Sequence, residues 1–484
     1  MVIMPPDLEN KTREELALEI VRLRHQVSDL NRMLFGQSSE RLEGGKQEGS
    51  SKRSEGGSGQ KAHAKIRKNE PAKPVKVHPG RAPLPESLER REVIVEPEEQ
   101  VEGMKCIGEE ITEELVYEPG YFWVRRYVRR KYVDEKTEKI LIGALPSRPI
   151  DKGIVSAELA AQIVVNKYCD HLPLYRQGKM FERGGVKIAD STLGEWLHTS
   201  VELLTPLYEA LKEQVLESGY IQADETTINV LDSDKKGTTH LGYYWVYHAP
   251  GLRAAVFDYR RGRSREGPEA FLGEFKGELQ CDGYEAYAIF ENKEGIRVHN
   301  CWAHARRYFE KALDEDQVRA GHVMELTQRL YEVERHARQG HLDYDQRLQA
   351  RQNEAVPVLE QIKQYLEDNK ASALPKSLLG TAINYTLSRW GKLASYTSDG
   401  KLEIDNNLVE NAIRPVALGR KNYLFAGSHE SAQRAAMIYS LLSCCKICAV
   451  EPVAYFTEMF RKLPDYPVNQ VQNLLPFNWK QKEG

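Results

Sequence analysis

The sequence predicts a multidomain protein of the mixed α/β class, in which one mixed β-sheet lies between helical regions. The first observation is a group of five β-prone segments between residues 217 and 303. The second is the helical spacing of apolar residues on both sides of this group. The five segments are Tyr220 to Val230, Leu241 to His248, Ala254 to Tyr259, Gly277 to Asp282 and Ile296 to Asn300.

Three of these strands are in hairpin order, and a short helix around Pro268 to Phe275 separates them from the last two. This is the element order of the ribonuclease-H-like fold, a mixed sheet with helices on its faces. Acidic residues of that fold lie within the first strand, at the end of the fourth strand and on a later helix. Asp224 and Asp282 occupy the first two positions, and Glu410 lies in a segment typical of a capped helix start.

Carboxylates on two strands and a helix can meet at one point and hold divalent cations. Hard oxygen ligands with open coordination positions suit Mg²⁺ or Mn²⁺ in phosphoryl transfer. The alternative is that each acid is a separate turn or cap residue. The order and the settings of Asp224, Asp282 and Glu410 favour a metal site.

The N-terminal region, residues 8–42, is predicted to form a coiled-coil helix. Its apolar residues alternate in spacings of four and three, and charged residues lie between them. A dimer, or a contact with a partner helix, is the simplest interpretation, and an amphipathic helix packed on its own domain is the alternative. The apolar positions are Leu16, Ile20, Leu23, Val27, Leu30 and Leu34.

Residues 43–90 are predicted to form a disordered basic linker, because almost no apolar residues occur there. The stretch from Gly44 to Pro83 contains ten Lys and Arg residues and three Glu residues. Such a segment adds salt-sensitive DNA affinity, or it is a solvated tether; the composition fits both.

Residues 91–150 are predicted to form a small β-rich domain. Its segment from Tyr121 to Val133 places five basic residues among aromatic and β-branched ones. Aromatic residues among cations are typical of nucleic-acid surfaces, and an exposed sheet face is the alternative.

Residues 151–210 are predicted to form a helical block with a helix-turn-helix-like, DNA-binding arrangement. One helix opens near Ser156 and a second follows Leu172. A Gly184-Gly185 turn precedes a third helix that Asp190 is expected to cap. Many small helical domains share this pattern.

The remaining domains follow from the position of the acids. Residues 211–302 form the first part of the catalytic core, and residues 401–430 contribute the Glu410 helix. Residues 303–400 have apolar stripes at helical spacing, so they are predicted to form a helical insertion. Residues 431–484 form a C-terminal helical segment and a tail.

Composition limits the classes of function. The chain has 484 residues and a formal net charge of −3, so a DNA-binding surface requires local clusters of basic residues. Its apolar runs are shorter than a membrane span and its N-terminus lacks a signal-peptide pattern, so a cytoplasmic protein without membrane contact is expected. Seven cysteines form no regular framework, and the C-x-x-C of Cys445 and Cys448 is interpreted as core packing.

Several motifs together resemble transposases of the insertion sequence 66 family, within the DD(E) superfamily. The resemblance extends from Leu34-Phe-Gly-Gln-Ser-Ser-Glu-Arg41 almost to the C-terminus. The motifs that carry it are His171-Leu-Pro-Leu-Tyr-Arg176, Ala223-Asp-Glu-Thr226, Cys281-Asp-Gly-Tyr284, Cys301-Trp-Ala-His-Ala-Arg-Arg307, Asp405-Asn-Asn-Leu-Val-Glu410, Arg414-Pro415, Gly419-Arg-Lys-Asn422 and Phe425-Ala-Gly427.

The resemblance implies a DNA transposase that cleaves the ends of an insertion sequence and joins them to target DNA. Asp224, Asp282 and Glu410 are then the catalytic and metal-binding residues, with two Mg²⁺ or Mn²⁺ ions. Two DNA ends imply at least a dimer, with accessory proteins from the same element as further partners. The alternatives are a structure-selective nuclease of the same fold and a catalytically inactive DNA-binding protein derived from a transposase.

Zinc is not expected, although many family members resemble a zinc ribbon near residues 107–110. Only Cys106 remains there, and a single cysteine cannot build a tetrahedral zinc site.

The candidate DNA contacts are basic and aromatic residues near the predicted acids. Arginine side chains suit phosphates, whereas Trp302 could stack on a base or belong to the core. Asn406 and Asn407 are expected to cap the Glu410 helix. The DNA-contact candidates are Arg414, Arg420, Lys421, Arg306, Arg307, Trp302 and His304.

Overall fold

The computed structural model describes residues 153–231 and 237–479, with short stretches at 120, 122–123, 125, 131–133, 140–142 and 147–150. The predicted coiled-coil helix, the basic linker and Cys106 lie outside the described residues. The chain divides into two compact units, and the fold below belongs to the unit that includes residues 122–484. Of residues 20–121, which form the other unit, the structure describes Gly120 only.

Two short strands lie in the region predicted as the small β-rich domain. Strand β1 (Lys131–Val133) pairs antiparallel with β2 (Ile140–Ile142), with Tyr132 opposite Leu141. Most of residues 91–150 lie outside the described part of the chain.

Within the described residues, four helices precede the main sheet, one more than the three that the sequence predicts for the helical block. Ser156 caps the first helix by accepting a hydrogen bond from the Leu159 N–H at 3.2 Å. The expected cap at Asp190 is wrong, because the helix already includes Asp190 and the preceding Ala189 is the N-cap. The helices are α1 (Ala157–Tyr168), α2 (Leu174–Arg183), α3 (Asp190–Glu202) and α4 (Thr205–Leu216).

The main sheet has five strands in the order β5-β4-β3-β6-β7. The first three strands pair antiparallel, and β6 is parallel to both β3 and β7. A mixed sheet among many helices confirms the predicted α/β class. The strands are β3 (Tyr220–Leu231), β4 (Thr239–Ala249), β5 (Ala254–Arg260), β6 (Gly277–Cys281) and β7 (Ile296–Asn300), with α5 (Glu266–Leu272) and a 3₁₀-helix (Glu285–Phe290) in the connections around β6.

A helical region follows β7, where the sequence predicts the insertion. It has its own hydrophobic core, to which Tyr220 of β3 also belongs. Its helices are α6 (Trp302–Ala312), α7 (Gln317–Gln339), α8 (Tyr344–Ala350), α9 (Val356–Lys370), α10 (Leu378–Ser388) and α11 (Trp390–Ala394), with a π-helical turn (Arg351–Ala355) before α9 and a 3₁₀-helix (Ser395–Ser398) after α11.

Three C-terminal helices complete the larger core, which also contains the main sheet and the preceding helical block. They are α12 (Asn407–Tyr423), α13 (His429–Cys448) and α14 (Pro452–Lys462), followed by 3₁₀-helices at Leu463–Asp465 and Val468–Leu474. Helix α13 packs on β5, where Ser440 Oγ accepts the Phe257 N–H at 2.8 Å. Cys445 is buried there, in agreement with the core-packing interpretation, as is Cys444, whereas Cys448 is only partly buried.

None of the helices in the described part of the chain combines the length and the apolar composition that a membrane span requires.

Candidate active site

Asp224 and Asp282 lie on neighbouring parallel strands. The register of β3 and β6 pairs Tyr220 with Glu278 and Gln222 with Gln280. Extending it by two residues brings Asp224 level with Asp282, which directly follows β6. Because side chains alternate between the faces of a sheet, both aspartates share the face of the Gln222–Gln280 pair. Two carboxylates thus meet at the carboxyl end of β6.

The electrostatics of Asp224 show that Glu410 faces the same place. Burial, as the largest cause, and the charges of Glu225, Asp282 and Glu410 together raise the pKa of Asp224 to about 8. The Glu225 N–H, which donates to Asp224 Oδ1 at 2.8 Å, acts in the opposite direction. Burial and the repulsion between neighbouring carboxylates both disfavour the ionised form of Asp224.

Glu410 lies in the first turn of α12, and the segment of residues 403–406 fixes that helix against the sheet. Gln222 Nε2 donates to the Asp405 carbonyl at 2.9 Å, and Gln280 Nε2 donates to the Glu403 carbonyl at 2.7 Å. Asn406 Nδ2 donates to the Ala223 carbonyl at 3.2 Å. Residues flanking Asp224 and Asp282 therefore hold the start of the Glu410 helix.

The expected side-chain caps of α12 are wrong. Asn406 is the N-cap residue, yet its side chain is turned towards Ala223 and makes no cap hydrogen bond. Asn407 lies inside the helix, and the side chain of Asp405 accepts its N–H at 3.0 Å.

Two predicted basic residues of α6 lie beside the acids. Arg307 Nη2 is 3.7 Å from Glu410 Oε1. Burial lowers the pKa of His304, while the charges of Asp282 and Glu410 raise it. Its Nδ1 is buried and has no hydrogen-bond partner among the described residues. Arg306, by contrast, lies near the Tyr331 hydroxyl: burial raises the pKa of that hydroxyl, and the charge of Arg306 opposes the rise.

The structure separates the other DNA-contact candidates. Trp302 is 0% exposed and its indole N–H donates to the Leu393 carbonyl at 2.7 Å, so the predicted base-stacking role is wrong and Trp302 is a core residue. Arg420 and Lys421 both lie in the last turn of α12. Arg420 donates to the Thr227 hydroxyl at 2.6 Å and to its carbonyl, whereas Arg414 and Lys421 are exposed.

Sequence reasoning missed the roles of Gln222 and Gln280. Both are buried, and Gln222 Nε2 donates to Gln280 Oε1 at 2.9 Å. The signal was present in the sequence, because Gln-x-Asp occurs twice: as Gln222-Ala-Asp224 in the first half of β3 and as Gln280-Cys-Asp282 at the end of β6. Side chains two positions apart in a strand point to the same face of the sheet, so each buried amide lies on the same face as the carboxylate that follows it.

The acids have the oxygen donors that Mg²⁺ and Mn²⁺ prefer. The raised pKa of Asp224 marks a place where a cation would relieve the repulsion between carboxylates. Within the described residues, however, no three side chains of His, Cys, Asp or Glu are close enough to hold a metal ion together. In this conformation the three acids approach one another without forming a complete ligand set.

Comparison with known proteins identifies the class. Residues 152–434 match the family described as Transposase IS66 family, so the protein is of the transposase class. Residues 440–477 match the IS66 C-terminal element, and residues 22–93 match a family described as Transposase C of IS166 homeodomain. The chain belongs to the IS66 family of transposases.

Three relatives from Sinorhizobium fredii (strain NBRC 101917 / NGR234), each named as an uncharacterized protein, resemble the chain over most of its length. y4jD is 33% identical over 419 residues, which cover 82% of this chain and 81% of that protein. y4hP is 30% identical over 428 residues, covering 83% and 77%, and y4qI is 32% identical over 429 residues, covering 83% and 79%. No solved structure matches the chain.

Proposed function

We propose that this protein cleaves DNA at the ends of an insertion sequence and joins those ends to target DNA. In this proposal the five-stranded sheet is a ribonuclease-H-like catalytic core, residues 303–400 are a helical insertion into it, and Asp224, Asp282 and Glu410 are the catalytic residues. The observation that carries the proposal is the β3–β6 register, which brings Asp224 level with Asp282. Membership in the IS66 transposase family supports it.

Asp224 and Asp282 would hold divalent ions, two of Mg²⁺ or Mn²⁺, and Glu410 would complete the ligand set. When bound, these ions activate water or a DNA 3′-hydroxyl and stabilise the departing oxygen of the phosphodiester. The chain has to keep Asp224 ionised for this role, against the burial that raises its pKa to about 8.

The basic residues around the acids have separate roles. Arg307, at 3.7 Å from Glu410, balances the charge of that carboxylate. Arg414 lies one turn after Glu410 on α12 and is exposed, so it is placed to bind a phosphate next to the reacting one. Lys421, exposed at the far end of the same helix, extends this contact along the DNA backbone.

The remaining parts of the chain contribute binding and assembly. We assign DNA-end recognition to the helical block of residues 151–210, and assembly of at least a dimer to the coiled coil of residues 8–42. The basic linker adds contacts with phosphates that do not depend on sequence.

The test is strand cleavage and strand transfer on a labelled duplex that carries one element end, with Mg²⁺. Asp224→Asn, Asp282→Asn and Glu410→Gln should each reduce cleavage by about 1,000-fold or more, because each removes several kcal/mol of transition-state stabilisation. DNA affinity should stay within about twofold, because these acids do not grip the duplex. Glu269→Gln, an exposed acid of α5, is the control.

Normal cleavage by any of the three variants would refute the assignment of that residue. Hydrolysis without joining would favour the structure-selective nuclease, and specific binding without cleavage by the wild type would favour the inactive DNA-binding protein.

A further inference from the structure

The loop between β5 and α5 is strongly basic. Residues 261–265 contain Arg261, Arg263 and Arg265, all exposed, and no acidic residue. The sequence motifs described above do not include this loop. Its middle arginine makes contacts that connect it to both aspartates of the candidate active site.

Arg263 is held between a carboxylate and an aromatic ring. Its Nε donates to Glu225 Oε1 at 2.9 Å, and its Nη2 donates to the same oxygen. The guanidinium carbon lies 3.9 Å from the centre of the Tyr284 ring, which is close cation–π stacking. The Tyr284 hydroxyl donates to the Arg263 carbonyl at 3.1 Å, so the backbone of the loop is fixed as well.

The two residues that hold Arg263 also hold the aspartates. The Glu225 N–H donates to Asp224 Oδ1, and the Tyr284 N–H donates to Asp282 Oδ1, both at 2.8 Å. Each partner of Arg263 is therefore one hydrogen bond away from a proposed catalytic carboxylate. Arg263 lies at the rim of the acidic site, where a DNA strand would pass.

The exposure of this pair is uneven. The Glu225 carboxylate is 5% exposed, whereas the Arg263 side chain is 44% exposed. Within the described residues no hydrogen bond involves its third guanidinium nitrogen, Nη1. An arginine that is already stacked and paired loses little conformational freedom when it binds a phosphate. Its planar donors match the geometry of phosphate oxygens.

We propose that Arg263 binds a backbone phosphate of the DNA strand in the active site, and that Glu225 and Tyr284 hold its guanidinium in position until DNA arrives. This inference rests on the proposed function, because it requires DNA at the Asp224–Asp282 site. In this proposal Arg263 binds and positions the DNA strand. The Glu225 carboxylate competes with the DNA phosphate for the Arg263 guanidinium.

The test is DNA affinity in EDTA, where no cleavage occurs, measured by fluorescence anisotropy over a series of salt concentrations. Arg263→Ala should weaken binding about tenfold, because a charged hydrogen-bonded contact is lost. It should also lower the slope of log affinity against log salt by about 0.9, the value for one phosphate contact. Arg263→Lys should keep the slope and recover part of the affinity.

Glu225→Gln separates this proposal from a purely structural ion pair. If Arg263 binds phosphate, Glu225→Gln removes the competing carboxylate while Tyr284 still positions the guanidinium, so DNA binding should be unchanged or tighter, opposite to Arg263→Ala. If the pair only stabilises the fold, both variants should change DNA binding in the same direction. That result, or a wild-type affinity and slope for Arg263→Ala, would overturn the inference.

The failure of the proposed function has a different signature. It would appear as normal cleavage by the Asp224, Asp282 and Glu410 variants, or as no DNA binding by the wild type. If Arg263→Ala does not fold, Arg263→Lys and Glu225→Gln carry the same comparison, because each retains the size and polarity of the original side chain.

Discussion

Burial and the charges of three neighbouring carboxylates disfavour the ionised form of the Asp224 side chain. Its pKa is raised to about 8, although the Glu225 N–H stabilises the carboxylate. Since the ordinary pKa of an aspartate in an unfolded chain is about 3.9, the folded protein binds more protons than the unfolded chain between these values. Stability is then highest at low pH within this window and is lost as pH rises towards 8.

Replacing Asp224 by Asn should remove this pH dependence. In urea unfolding with EDTA, the wild type should lose about 2 to 3 kcal/mol more stability than Asp224→Asn between pH 6 and pH 8.5. The measurement is the difference between the two pH profiles, in which the other titrating groups cancel. Parallel profiles would mean that Asp224 is ionised normally in the folded protein.

At the scale of elements, a network of polar contacts around Gln222 and Gln280 fixes the segment before α12 to the sheet. Tyr220 Oη donates to Gln280 Oε1 at 2.6 Å and accepts the Glu403 N–H at 3.0 Å. The amides of Gln222 and Gln280 donate to the carbonyls of Asp405 and Glu403. Because unpaired buried polar groups are costly, this amide cluster permits one register between α12 and the strands.

Gln280→Leu should therefore damage both stability and catalysis. It removes the partner of the Glu403 carbonyl and one of the partners of Tyr220 Oη and of Gln222 Nε2, and we expect a loss of about 3 kcal/mol. Cleavage should fall more than DNA binding, because Glu410 loses its support while the phosphate contacts remain.

The matched control for this change is Gln364→Leu. Gln364 is exposed on α9 and bonds only Asp368 among the described residues, at 2.8 Å, so its loss should cost less than about 0.5 kcal/mol. Equal effects of the two substitutions on unfolding and on cleavage would contradict the role of the amide cluster.

At the scale of the whole unit, the helical region after β7, which the sequence predicts as an insertion, shares structure with the main sheet. Tyr220 belongs to the core of the insertion, and the Trp302 N–H donates to the Ile404 carbonyl at 3.1 Å. Within the insertion, Arg351 donates to Glu334 and to the carbonyls of Tyr396, Asp399 and Leu402. The buried arginine thus fixes the chain that leads into residues 403–406.

Arg351→Met should destabilise the insertion by about 3 to 5 kcal/mol, because it leaves the fully buried Glu334 with one fewer cation. The cleavage rate should fall together with the stability, because the segment that leads to Glu410 loses the three hydrogen bonds that Arg351 donates to its backbone carbonyls. Thermal unfolding and cleavage rate are the measurements. Arg335→Met is the control: Arg335 is 50% exposed and 3.7 Å from Glu332, a pair worth less than about 1 kcal/mol. Similar losses in both variants would contradict this account.

The sequence by itself determined the features that depend on neighbouring residues. Apolar residues at alternating or helical spacing predicted the five strands, the order of the helices and the α/β class. Such patterns depend only on residues that are close together in the sequence. The motifs around Asp224, Asp282 and Glu410 indicated the family that the comparisons show.

Only the tertiary structure decided what each polar side chain contacts. Gln222 and Asp405 are 183 positions apart, and no local pattern pairs them. Trp302 became a core residue, Arg420 a partner of Thr227 and Asn406 a partner of Ala223, because burial and hydrogen-bond geometry are set by distant segments. Local propensity fixes the elements, whereas the need to satisfy every buried polar group fixes how they meet.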